Sequence, residues 1–411
     1  MKVIKADKLL LGMLVMVSAI CTAQTVNSGD LYISPGTVMN TVGAFDNRDT
    51  ANLVNDGELY VYSHFNNDGL VGFTPGSTTG MTRVAGIAGF QDISGSVPVK
   101  WYNTQWNNSA TQPAFHLSNE ISMFGKSDFT NGIIDDDTYG GLVVFEDNAS
   151  HINVSDISYV QGFVNKNGKD SFLFPIGDKG NFRPAGISNP GAATDAFIGK
   201  YFMTDPDVLY PLKNKAADIN LIDNKEYWTV TRAAGVSNLF LTLSWKENVT
   251  MDEIYAASDD EIHIVRWDAV LNSWVDEGGV TDGRKEVTMV VNPLENYGVF
   301  TLARVKKAID EGIVVFNGLS PNADGYNDYF KITGLQVFAS DKITIYNRWG
   351  VVVYETQNYD TSGNNFRGIS EGRGTLGKEN KLPSGTYFYT IDVVKKDGKN
   401  FKKAGYLYIN D

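Results

Sequence analysis

Asp135, Asp136 and Asp137 stand side by side, and Asn322, Asp324, Asn327 and Asp328 surround Gly325 in the last quarter of the chain. Clustered carboxylates suit two kinds of chemistry: acid/base pairs that cleave glycosidic bonds, and oxygen cages for hard cations. Neighbouring carboxylates on a strand point to opposite faces, so the Asp triplet reads as a solvated turn rather than a catalytic pair. The cluster around Gly325 offers oxygen ligands for Ca²⁺. An EF-hand-type loop, however, needs an acid near its twelfth position, where Lys331 and Ile332 stand. The same residues suit a loop whose Asx side chains cap their own backbone amides. His64, His116, His151 and His263 are far apart and fall in no HExxH or HxH spacing, and the nucleotide-binding glycine motifs and the GxSxG elbow do not occur. The expectation is therefore a chain with no catalytic residue, no cofactor and at most a Ca²⁺ loop.

The elements that must position these residues read as β throughout. The chain has 411 residues, 42% of them hydrophobic, with 41 Gly, 20 Tyr and 22 Phe against 12 Pro, which favours turn-rich sheets over helical bundles or disorder. Its net charge of -13 argues against nucleic acid as a partner, because a polyanion is held by a basic face. Lys2, Lys5 and Lys8 precede an apolar run from Leu9 to Ile20 that ends at Cys21-Thr22-Ala23, the form of a secretory signal cut after Ala23. The run is short for a membrane anchor, and Ile20 is bulky where a lipoprotein signal has a small residue before its Cys. Cleavage would remove the only Cys, so the mature chain would have neither thiol nor disulfide.

Between residues 28 and 165, Asn55-Asp56-Gly57, Asn67-Asp68-Gly69, Ser94-Gly95-Ser96 and Thr130-Asn131-Gly132 interrupt short apolar runs such as Leu59-Tyr60-Val61-Tyr62. Units of loosely regular length with Asn and Gly at their corners predict stacked coils of a β-helix, with a large sandwich as the alternative. These Asn/Asp-Gly pairs are expected to close turns through φ > 0. Longer runs with period two, such as Glu226-Tyr227-Trp228-Thr229-Val230-Thr231 and Ile262-His263-Ile264-Val265-Arg266-Trp267, predict an antiparallel sandwich with Trp228, Trp245, Trp267 and Trp274 in its core. The division expected is a signal peptide over 1–23, a β-helix-like body over 24–165, a sandwich over 166–303, a linker over 304–312 and a last unit over 313–411. That unit holds 12 Lys and Arg against 10 Asp and Glu, so the acidity belongs to the body.

The last unit carries three ordered motifs: Ser320-Pro321-Asn322-Ala323-Asp324-Gly325-Tyr326-Asn327-Asp328, Asn347-Arg348-Trp349-Gly350, and Pro383-Ser384-Gly385-Thr386-Tyr387. Together they resemble the gliding motility-associated C-terminal domain of Bacteroidetes, the type B sorting signal of the type IX secretion system. Two positions depart from the family: Ala323 stands where it usually has Gly, and Phe366-Arg367-Gly368 where it usually has Trp-Asp-Gly. The resemblance implies a small Ig-like β-sandwich, export across the outer membrane, the type IX translocon as partner, and an outer-membrane protein of the PorP/SprF type that holds the tail. On that resemblance the sorting motif comprises Pro321, Asn322, Asp324, Gly325, Asn327, Asp328, Asn347, Arg348, Trp349, Gly350, Gly385 and Tyr387. Arg348-Trp349 reads either as a docking feature or as a turn whose Trp caps the small core. The strand Tyr406–Ile409 is expected to be an edge open to strand addition, guarded by Lys402-Lys403.

The whole chain thus reads as an all-β cell-surface cargo protein with an adhesion or structural role linked to gliding motility, and with a glycan or surface protein as ligand. The alternative is a surface-displayed polysaccharide-degrading enzyme on a β-helix body.

Overall fold

The computed structural model describes residues 24–410 apart from 87–88, 282–286, 291, 308–311, 348–349 and 371–380. The secretory signal expected over 1–23 lies outside the described residues. The chain is nearly all β and begins with a solenoid of about 6 turns. Each turn lays one short strand on each of three sides. The first side runs from Thr25–Asn27 through Phe45–Asn47, Phe65–Asn67, Gln91–Ser94, Phe115–Leu117 and Ile134–Asp135 to Val160–Gln161, all parallel. The second begins at Asp30–Ile33, and the third runs from Val38–Thr41 to Ser150–Ile152.

Alternation sends one residue in two inward, where Phe45, Leu53, Leu59, Val61, Phe65, Trp106 and Phe115 are fully buried. Equivalent residues of successive turns stack, as Phe45 and Phe65 do with ring centroids 5.3 Å apart and planes within 7°. At one corner a buried amide ladder runs with the axis: Asn27 Nδ2 donates to Asn47 Oδ1 and Asn47 Nδ2 to Asn67 Oδ1, each at 2.8 Å. Two of the four corner glycines differ from expectation in their physical reason, while Gly132, at φ +109°, keeps to it. Gly95 has φ +122°, but Gly57 and Gly69 lie outside the positive-φ region. At Gly69 a Cβ would stand 2.3 Å from the Arg48 carbonyl oxygen, so glycine is required by the close approach of the previous turn.

The solenoid passes into the sandwich without a break in hydrogen bonding. Val164–Asn167 pairs parallel with Leu142–Phe145 on one edge and antiparallel with Ala196–Phe202 on the other. The sheet continues antiparallel through Tyr227–Ala234, Gly298–Val305, Glu261–Asp268 and Ser273–Asp276, so Arg304 and Val305, expected in the linker, belong to a strand. The facing sheet includes Ala185–Ile187 and Leu241–Ser244. Trp228 and Trp274 are fully buried, whereas Trp245 and Trp267 are partly buried against the cores.

A charged cluster crosses this core. Arg183 donates through Nε and Nη2 to Glu226 at 2.9 and 2.7 Å, Tyr201 Oη donates to the same carboxylate at 2.7 Å, and Trp228 Nε1 donates to the Arg183 carbonyl at 3.0 Å. Bidentate pairing plus the added donors satisfies groups that would be very costly to bury alone.

The last unit is a five-stranded sheet in the order Gly318–Leu319, Asn400–Ile409, Gly385–Val394, Ser340–Tyr346, Val352–Gln357. A two-stranded pair, Val314–Val315 with Ile332–Thr333, accompanies it. Ile343, Ile345, Phe330, Phe366, Ile391 and Leu407 fill its own core.

Candidate functional site

The loop 320–329 holds the first sorting motif at the surface, with Tyr326 79% exposed at its tip. Its polar side chains fold back on the backbone. Asp328 accepts from the Ala323 and Gly325 amides at 2.7 and 2.8 Å, and Asp324 accepts from the Tyr326 amide at 2.8 Å and from Asn322 Nδ2 at 2.9 Å. The Tyr326 amide and the Asn322 side chain together hold the Asp324 carboxyl below the usual carboxylate range. Asn322 Oδ1 accepts from the Asp324 amide at 3.1 Å, and the Asn327 carbonyl from the Ser320 amide at 2.8 Å. Carboxylates so occupied by N–H donors form nested Asx turns. Among the described residues no group of three or more His, Cys, Asp or Glu could hold a metal ion. Ala323, Gly325 and Asn327 all have positive φ, at 62°, 89° and 54°.

Pro321 packs under this loop beside Gly368, where a Cβ would come within 3.1 Å of the proline ring. The second motif forms a tight turn: Gly350 N donates to the Asn347 carbonyl at 3.0 Å, and Val351 N to Asn347 Oδ1 at 3.0 Å. Arg348 and Trp349 lie outside the described residues. Gly350, at φ +72°, abuts the sandwich, since a Cβ there would stand 2.7 Å from Phe240 Cβ. In the third motif Gly385 has φ +155°, and Tyr387 Oη donates to the Pro383 carbonyl at 3.0 Å. Burial pushes the Tyr387 phenol up to about 12.

The terminal strand departs from expectation. Tyr408 and Ile409 are paired on both sides, by Gly385–Val394 and, in parallel, by Gly318–Leu319. The chain entering the unit thus covers the end of the strand, and the edge on its second side begins before Tyr408. Lys402 pairs with Asp392 at 3.0 Å and donates to Asn292 of the sandwich at 2.6 Å, while Lys403 donates to the Ile313 carbonyl at 2.6 Å. The lysines therefore tie elements together.

On the solenoid the Asp triplet is not the solvated turn the sequence suggests. Asp135 and Asp136 are buried, with Asp135 accepting from the Thr138 amide and Asp136 from the Phe163 amide, both at 2.9 Å. Burial first, then the adjacent Asp137 and Asp135 charges, raise Asp136 well above the usual carboxylate range, against the pull of the Phe163 amide. Asp137 pairs with Lys200. Two histidines far apart in sequence meet over Asp92: its amide donates to His64 Nδ1 at 2.9 Å, and its carboxylate lies 3.2 Å from His116 Nδ1. His116 is sandwiched between Phe90 and Tyr139 at 4.4 and 4.2 Å. Sequence spacing missed this group because the turns differ in length. Half-buried His151 packs edge-on against Phe129, Phe145 and Phe172, and desolvation of its ring lowers its pKa despite its hydrogen bond to the Leu173 carbonyl.

Sheet order, the Asx-turn loop and the ordered motifs converge on one recognisable unit. Residues 313–409 match the CHU_C type IX secretion signal domain. The signal domain makes the chain a cargo of the type IX secretion system, exported to the cell surface or extracellular space, and implies contact with the secretion machinery. No curated protein matches the chain. Among the described residues no helix is long and apolar enough to cross a membrane.

Proposed function

We propose that the body carried by this signal domain is a non-catalytic adhesive or structural element displayed on a gliding cell. One observation supports an adhesive surface above the others. The third side of the solenoid is a six-stranded parallel sheet. Its register aligns Asn40, Tyr60, Arg83, Gln105 and Asp128 on its outer face. Arg83 lies over the Tyr60 ring at 5.5 Å and donates to Gln105 at 2.8 Å, so planar polar groups recur from strand to strand. Such a row, repeating at about 4.8 Å, suits an extended glycan or a neighbouring protein surface without site chemistry. The polysaccharide-degrading alternative needs a free carboxylate pair, and the Asp triplet is committed to backbone amides and Lys200.

On this reading a secretory signal over 1–23 takes the chain through the inner membrane, and a PorP/SprF-like outer-membrane protein retains the tail at the surface. Removal of residues 403–411 takes out most of the terminal strand and is expected to trap the chain in the periplasm. Replacing Tyr60 and Arg83 by Ala is expected to leave surface display intact and to reduce cell attachment. Attachment equal to that of the parent chain would overturn the adhesive reading.

A further inference from the structure

The last turn of the solenoid is engaged on two of its three sides, by the antiparallel pairing of Val164–Asn167 with Ala196–Phe202 and by a bridge from Val160 to Ile176, while the third side ends at Ser150–Ile152. The first turn, Thr25–Asn27, Asp30–Ile33 and Val38–Thr41, ends all three sides, and among the described residues nothing pairs with its outer edge. The Asn27, Gly29, Ile33, Thr37 and Thr41 carbonyls accept from the second turn. In a parallel ladder the alternate residues, Val26, Asp30, Tyr32, Val38 and Asn40, turn their N–H and C=O groups the other way.

Open edges are normally blunted by Lys, Pro or bulges, and repeat arrays by a polar cap. Here the three edge strands contain neither Lys nor Pro, and Asp30 is their one charge in a chain of net charge -13. Val26, Tyr32, Val38 and Val42 are 48, 54, 55 and 68% exposed. The amide ladder is unfinished at the same end: Asn27 Oδ1 is met by the Gly29 amide at 3.4 Å, whereas the links below it are 2.8 Å.

We propose that this end pairs head-to-head with the same end of a second copy. At the far end two of the three sides are already engaged by the sandwich, so a head-to-tail stack lacks a complete partner edge, and a two-fold contact between like ends stops the assembly at two. A two-fold axis through the middle of Asp30–Ile33 sets that strand antiparallel to its symmetry mate, with Asp30 opposite Ile33 and no like charges facing. The same axis lays Thr25–Asn27 against Val38–Thr41 of the second copy, two uncharged strands. An otherwise acidic body meets itself at its least charged point. The dimer carries its two signal domains away from the junction, giving surface attachment at two points.

Sedimentation of the exported chain at micromolar concentration is expected to give twice the monomer mass. Val26→Lys with Val38→Lys places like charges across the junction twice and is expected to weaken dimerisation about tenfold or more. Val26→Lys with Val38→Glu places opposite charges there and is expected to restore it. Both pairs change exposed side chains, and circular dichroism melts report whether the fold is kept. A monomeric parent chain, or a dimer indifferent to the double Lys substitution, overturns the proposal. Equal weakening by both pairs overturns the two-fold register.

Discussion

Ala323 sits at φ 62°, a conformation that costs an L-residue about 1–2 kcal/mol and glycine almost nothing. Replacing it with Gly removes that cost but adds about 0.4–1 kcal/mol of freedom to the unfolded chain, so a net gain of about 0.5 kcal/mol is expected in denaturant titration. Chelating calcium is expected to leave the melting temperature unchanged, because the Asp324 and Asp328 carboxylates already accept amide hydrogens. Half-buried His263 and buried Asp223 both contribute to the pH response. For His263, burial disfavours the imidazolium, but the Asp276 and Glu261 carboxylates outweigh it and raise the pKa to about 9. Burial, then the Glu226 charge, raise Asp223 to about 7. In both cases the folded state binds the proton more tightly than the unfolded chain does. The His263 contribution is complete below about pH 6.5 and lost through pH 9. That of Asp223 is complete below about pH 4 and lost through pH 7. These two groups, with Asp136, whose pKa is also raised, make stability fall as the pH rises from 4 to 9, and the lowered pKa of His151 opposes them below about pH 6.5. His263→Gln should flatten the upper part of the curve and Asp223→Asn the lower.

Successive turns of the solenoid are joined by the Asn27–Asn47–Asn67 ladder as well as by the backbone. Asn47 is fully buried and also donates to the Leu70 carbonyl at 3.0 Å. Asn47→Ala removes the donor to Asn67 and Leu70 and the acceptor of Asn27, and is expected to cost about 2–3 kcal/mol, measured by denaturant unfolding. A surface asparagine such as Asn40 should be nearly neutral to the same change. The coils were legible in the sequence because Asn and Gly recur at corners between short apolar runs. The reason for some of those glycines was not: positive φ is a local property, whereas the clash at Gly69 comes from Arg48 and Ala51 on the preceding turn. The same limit hid the meeting of His64, Asp92 and His116 and the burial of Asp136, since each depends on how many residues a turn contains. The Asx turns around Gly325 were one of the two readings the sequence offered, because such turns are written in residues only a few positions apart.

At the scale of the whole molecule, the signal domain is docked on the body rather than trailing from it. Tyr346 and Phe388 of the domain belong to the same apolar cluster as Phe240, Leu241 and Leu294 of the sandwich, with Phe240 and Tyr346 centroids 4.7 Å apart. Gly350 closes over Phe240, and Lys402 reaches Asn292. A cleft of about 510 Å³ beside this contact is bordered by Trp245, Tyr255 and Tyr406. Its Arg304 is already spent on the carbonyls of Asp260 and Glu253. A machinery that recognises residues 313–409 therefore meets them attached to a folded partner, and the strength of that attachment becomes a property of the cargo. Phe240→Ala empties the centre of the contact while leaving the Arg183–Glu226 cluster untouched, and is expected to cost about 2–4 kcal/mol. Because the lost contacts join two units that each keep their own core, the parent chain should melt in one calorimetric transition and the variant in two. Two transitions in the parent would show that the units are energetically independent. A single transition at lower temperature in the variant would show that Phe240 supports the sandwich alone.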